Sequence, residues 1–134
     1  MPKLPEKIGV EENNLTVSEY KSIKKIVEKT ANIDLSKLRI VKSDEEIKNI
    51  KLACKIGDEA FEFIVKQIKL GITEREIVFE LENYIKQKDA DISFKPIIAF
   101  GKNSSIPHHQ SGNTKLKQNQ IVLLDFGVKV NNYC

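Results

Sequence analysis

Two places in the 134-residue chain carry side chains that could do chemistry. The first is Asp125, which closes the apolar run Ile121-Val122-Leu123-Leu124. A carboxylate at the end of a buried strand is costly unless it is paired or holds a metal ion. Asp125 also reads as a solvated strand end, or as a turn cap beside Gly127. The second place is His108-His109, the chain's only histidines, which follow Ser105-Ile106-Pro107 in a long polar loop from Gly101 to Asn119. Long loops in compact domains are often functional, and imidazoles there can move protons or bind metals. The same pair also reads as two exposed loop side chains. Neither place makes a zinc site alone, because a catalytic zinc takes three protein ligands and no common spaced pair is present. The sequence has no phosphate-cradling Gly-rich loop followed by Lys-Ser/Thr and no Gly-x-Ser-x-Gly elbow. Neither Cys54 nor Cys134 has basic or histidine neighbours that would mark a nucleophile.

These residues need elements to position them, and the pattern supplies several. Ser43-Asp44-Glu45-Glu46 is a capping box that opens a helix over about 44–70. Its apolar stripe runs Ile47, Ile50, Ala53, Cys54, Gly57, Ala60, Phe61, Ile64 and Ile68, and Gly71 is placed to stop it. Thr73-Glu74-Arg75-Glu76 is a second capping box, opening a helix over about 74–88 with Ile77, Val78, Leu81, Tyr84 and Ile85 on one face. The short connection makes the two helices antiparallel neighbours. After Asp89 the period shortens, and strands are expected near 93–100, 120–126 and 128–133. Pro96 lacks an amide donor and belongs at an edge or bulge. Gln120–Phe126 reads as a buried strand, and Asn131-Asn132 as a turn.

Residues 1–40 read as the end of a smaller N-terminal domain or a linker. Ile8-Gly9-Val10-Glu11 is a short apolar start. Tyr20, Ile23, Ile26 and Val27 share a helical face, Asn32–Ser36 is turn-like, and Leu38-Arg39-Ile40-Val41 suits a strand. These pieces are too small to close a core of their own.

Composition narrows the function classes. Hydrophobic residues make up 40% and charged residues 31%, the balance of a soluble globular chain. No apolar run approaches the ~20 residues of a membrane span, and Met1–Lys7 has no apolar leader region. Two cysteines are too few for a disulfide scaffold, which points to free thiols in the cytoplasm. The net charge of +3 comes from lysines interleaved with glutamates, so a solvated surface is expected rather than nucleic-acid binding.

The order of motifs adds a resemblance. Arg39-Ile40-Val41-Lys42-Ser43 runs into Glu45-Glu46-Ile47 and Ile50-Lys51-Leu52-Ala53, followed by Gly71-Ile72-Thr73-Glu74-Arg75-Glu76-Ile77. Then come Ser93-Phe94-Lys95-Pro96-Ile97-Ile98-Ala99-Phe100-Gly101, Pro107-His108-His109, Leu123-Leu124-Asp125-Phe126-Gly127 and Tyr133-Cys134. Over residues 39–134 this ordered set resembles the catalytic domain of the Xaa-Pro aminopeptidase and prolidase family of M24 metallopeptidases. Each piece alone is a weak signal.

The resemblance implies an α+β fold: the first half of a pita-bread fold, with two antiparallel helices packed on a mainly antiparallel sheet. Residues 41–134 would form the first half of the metallopeptidase catalytic domain. It implies Asp125 as the first metal ligand and His108 as the side chain that contacts substrate and moves protons. His109 falls at a position that varies in the family and receives no role, so His109→Ala is expected to do little. The family site holds two divalent ions (Mn, Co or Zn) bridged by a hydroxide that attacks the Xaa-Pro bond. The implied substrate is a peptide with proline at its second position. Of about five metal ligands in the family pattern, Asp125 is the one present. The chain therefore resembles a half-domain, expected to be inactive alone, to bind metal weakly or not at all, and to self-associate or pair with a complementary C-terminal half. A non-catalytic pita-bread module binding peptide or protein is the alternative.

Overall fold

The computed structural model describes residues 6–134. Residues 1–5, part of the segment without an apolar leader, lie outside the described residues. The chain divides into two units, one ending at Lys42 and the other running from Ser43 to Cys134.

In the first unit, strands β1 (Lys7–Val10) and β2 (Lys29–Asn32) pair in parallel, with helix α1 (Val17–Lys24) in the connection between them. Parallel neighbours cannot be joined by a tight turn, so the crossover helix is required. Thr16 and Glu19 form a capping box at the start of α1, a Thr-x-x-Glu signal legible in the sequence. Ile26 and Val27, expected on the helical face, lie past the end of α1 at Lys24, with Val27 buried and Ile26 exposed. The strand expected at Leu38–Val41 is instead a short helix, α2 (Ser36–Ile40). The Asp34 carboxylate accepts from the Ser36 amide at 2.9 Å and starts the helical turn locally. Leu38, Ile40 and Val41 all remain exposed, so no sheet pulls this segment into extended form.

The second unit is α+β. Helices α3 (Asp44–Gln67) and α4 (Glu74–Gln87) both begin with the expected capping boxes, Ser43 with Glu46 and Thr73 with Glu76. The helices are fastened by a stacked pair, Phe63 and Tyr84, with ring centroids 4.5 Å apart. Helix α3 stops at Gln67, because Ile68 turns extended; Gly71, at φ +86°, turns the chain three residues after that. The buried edge of α3 is Ala53, Ile56, Ala60 and Ile64, facing Ile77, Leu81 and Ile85 of α4. Cys54 and Phe61, expected on that stripe, lie on its exposed flank. An apolar stripe wider than one helix neighbour can cover leaves such a flank uncovered.

The strands form two short antiparallel ladders in place of one regular sheet. Strand β4 (Ile97–Phe100) pairs with β5 (Val122–Asp125), and β3 (Asp91–Ile92) pairs with β6 (Val128–Lys129). Between them, Ser93–Pro96 oppose only Phe126 and Gly127, so one strand carries two extra residues and the ladder breaks. Pro96, which has no amide to give, sits in that bulge. A Cβ on Gly127 would collide with Ser93 Oγ, so the close approach of the two strands requires glycine there. Ile98 and Phe100 point into the core with Val122 and Leu124 beside them. Strand β5, expected to be buried throughout, alternates: Leu123 and Asp125 face outward. Asn131 and Asn132, both at positive φ, close a two-residue turn in which Val130 and Tyr133 exchange amide–carbonyl bonds of 2.8 Å.

Candidate active site

Asp125 ends β5 at the broken edge of the ladder, with its side chain exposed. It lies directly opposite Ile97, and directly opposed residues of an antiparallel pair project from the same face. Ile97 also borders a concavity of about 310 Å³ whose wall includes Phe94, Pro96, His108 and His109. Ile97 thus neighbours Asp125 on one side and the concavity on the other, and Asp125 is not itself part of that wall.

His108 occupies the corner of a turn. The amide of His109 donates to the carbonyl of Ile106 at 3.2 Å, with Pro107 and His108 at the two central positions. Pro at the first and positive φ at the second is the type II pattern, and His108 has φ +55°. A non-glycine residue in that conformation costs on the order of 1 kcal/mol and needs support from its surroundings.

The next residue, His109, bonds to Glu74, the only fully buried charged side chain among the described residues. Thr73 caps α4, so Glu74 is its first residue and is carried inward beneath the His loop. Oε1 accepts from the Phe100 amide at 2.9 Å and from Asn103 Nδ2 at 2.8 Å. Oε2 accepts from His109 Nε2 at 2.9 Å and from the Gly112 amide at 3.0 Å. Burial pushes the Glu74 carboxyl up, but the bonds from His109, Asn103, Gly112 and Phe100 outweigh it and hold the pKa below its ordinary value. An ionised carboxylate only accepts, so His109 carries its proton on Nε2.

The expected long loop is therefore stitched down along its length. Ser111 Oγ accepts from the Ile98 amide and donates to the Ile98 carbonyl, at 2.8 and 2.9 Å. The Glu74 and Arg75 amides donate to the carbonyls of Thr114 and Gly112, and Leu116 is buried. Sequence reasoning gave His109 no role and saw Glu74 only as part of a helix start. The capping-box spacing assigns Glu76 to Thr73, but no local signal marks Glu74 for burial.

A larger open groove of about 510 Å³ lies between α3 and the strands, lined in part by Cys54, Asp58, Phe61, Phe126 and Cys134. It presents one carboxylate and no imidazole. Both cysteines are free.

The model of metallopeptidase family M24 matches residues 48–134. The chain belongs to this family. A curated relative, an uncharacterized peptidase YqhT of Bacillus subtilis, is 36% identical over 133 residues, covering 96% of this M24 chain and 38% of its own length. Among solved structures, the prolidase from Pyrococcus furiosus superimposes with a TM-score of 0.85 at 33% identity, covering 94% of this chain and 38% of that one. The Xaa-Pro dipeptidase from Bacillus anthracis gives a TM-score of 0.81 at 36% identity, over 91% and 36% of the two chains. The M24 chain thus spans well under half the length of the relatives it matches, and its α+β architecture is that of a pita-bread fragment.

Divalent metals are implied by the family. Among the described residues no group of three or more His, Cys, Asp or Glu side chains could hold an ion. Asp125 offers one carboxylate, and a hard divalent ion prefers about six donors. The residues present do not make up a two-ion centre.

Proposed function

We propose that this chain supplies the first part of an Xaa-Pro peptidase site. His108 contacts the peptide at the concavity and moves a proton during cleavage. Asp125 contributes one carboxylate toward a metal centre whose other ligands come from outside the chain as given, from further sequence or from a second copy. The observation that carries the reading is the face shared by Asp125 and Ile97, with Ile97 bordering the wall that holds His108. The substrate class follows from the two relatives, an Xaa-Pro dipeptidase and a prolidase. The free, exposed cysteines support a reducing, cytoplasmic setting.

By donor count, the 134-residue chain alone has no peptidase turnover. The test assays it with an Xaa-Pro dipeptide and added Mn²⁺, alone and with a complementary C-terminal half, following released amino acid. Turnover only in the mixture, abolished by Asp125→Ala and lowered about 10²-fold or more by His108→Ala, is expected. Peptide binding without turnover in any mixture would favour the non-catalytic module. Turnover by the pure chain that Asp125→Ala leaves intact would overturn the assignment of Asp125.

A further inference from the structure

We propose that Glu74 and His109 form a positioning pair that holds His108 in its left-handed turn at the concavity. The inference rests on the reading of His108 as the working side chain. Its basis is the way one buried carboxylate grips the chain on both sides of that turn. On the near side, Asn103 Nδ2 donates to Glu74 Oε1 at 2.8 Å, and the Asn103 carbonyl accepts from the Ile106 amide at 3.1 Å. On the far side, His109 Nε2 donates to Glu74 Oε2 at 2.9 Å. His108 lies between these anchors and is exposed at φ +55°. No side-chain bond of its own fixes it among the described residues.

The anchors themselves are rigid. Glu74 is fixed as the first residue of α4, two further donors saturate its oxygens, and it has no exposed surface. The His109 side chain is only 14% exposed. A carboxylate with four donors cannot turn away without leaving them unsatisfied in the interior. The two adjacent histidines thus divide the work: His109 faces inward as an anchor, and His108 is presented outward. This replaces the expectation that His109 is dispensable. His109 Nε2 matters as a hydrogen-bond donor at a fixed place.

The test uses the 134-residue chain and NMR, so it needs no peptidase activity. The readouts are the one-bond Cα–Hα coupling of His108, which distinguishes left-handed from ordinary backbone, and its imidazole cross-peaks. His109→Leu removes the donor, and His109→Gln keeps an N–H at a similar reach. In His109→Leu the His108 signals are expected to lose the left-handed signature, while the methyl signals of Ile77, Leu81 and Ile85 stay in place. His109→Gln is expected to restore the native His108 signals. Glu74→Gln should match His109→Leu; if it does not fold, the two His109 variants carry the test. Native His108 signals in His109→Leu, or equal disturbance by Leu and Gln, would overturn the proposal. In a peptidase-competent mixture, His109→Leu should lower kcat by about 10²-fold, as misplacement of a reacting group does. Turnover unaffected by His108→Ala would instead sink the functional reading alone, since the NMR result stands apart from it.

Discussion

Glu74 Oε2 and His109 Nε2 lie 2.9 Å apart in the interior, joining the first turn of α4 to a loop 35 positions further along the chain. The same carboxylate also accepts from Asn103, Phe100 and Gly112. Its position makes the His loop part of the folded core.

This arrangement sets an acid dependence. The folded-state pKa of Glu74 is lowered from the ordinary 4.5. A depressed carboxyl contributes stability that is fully present above the unfolded value and is lost as pH falls through the folded one. Urea midpoints measured from pH 6 down to about 3 should therefore fall more steeply for the native chain than for Glu74→Gln. At pH 6 the variant should be less stable by about 3 kcal/mol, because an amide turns a donor toward groups that already donate. Parallel pH profiles would refute the assignment.

A core position of α4 and an outward position of β5 should respond differently to truncation. Leu81 in α4 has no exposed surface, and Leu81→Ala should cost about 2–5 kcal/mol through lost contacts and a cavity. Leu123 points outward from β5 at 36% exposure, and Leu123→Ala should cost about 1 kcal/mol. Chemical denaturation of the 134-residue chain measures both. Equal losses would mean that β5 is covered on both faces in solution.

Gly127 tests the broken ladder. A methyl group there meets Ser93 Oγ and, at 3.1 Å, Phe94 Cε1. Gly127→Ala should destabilise the chain by about 1–3 kcal/mol. Adding Ser93→Gly should recover part of that loss, and a double-mutant cycle should give a coupling of at least about 0.5 kcal/mol. Strict additivity would show that the two strands do not approach each other as described.

Metal affinity should be low. Calorimetric titration of Mn²⁺ into the chain should give a Kd of about 1 mM or weaker, about −4 kcal/mol. Asp125→Ala should remove what binding there is, since Asp125 supplies the carboxylate and water fills the remaining positions. Micromolar binding that survives Asp125→Ala would place the ion elsewhere.

Much of the second unit was legible in the sequence because its signals are local. Ser43 with Glu46 and Thr73 with Glu76 satisfy amides within one helical turn, so they start α3 and α4 wherever those helices pack. Asn131-Asn132 tolerates positive φ at both positions, and Pro96 has no donor for a ladder, so the turn and the bulge were written in residue types. Other features depended on neighbours distant in sequence. Leu38–Val41 has the composition of a strand but no partner strand among the described residues, and it continues a helical turn whose Ser36 amide donates to Asp34. Cys54 sits on the apolar stripe of α3, yet only the edge that meets α4 and the strands is buried. Glu74 and Glu76 are both acids of one capping sequence, and nothing local marks Glu74 for burial. Glu76 reaches back to Thr73, a contact set by helix geometry, whereas Glu74 is buried because β4 and the loop after it, more than 25 residues downstream, bring four donors to it. The sequence by itself determined where α3, α4 and the Asn131-Asn132 turn would begin. Only the tertiary structure decided which histidine anchors and which is presented, because that choice depends on where a buried carboxylate lies, and burial belongs to the assembled core.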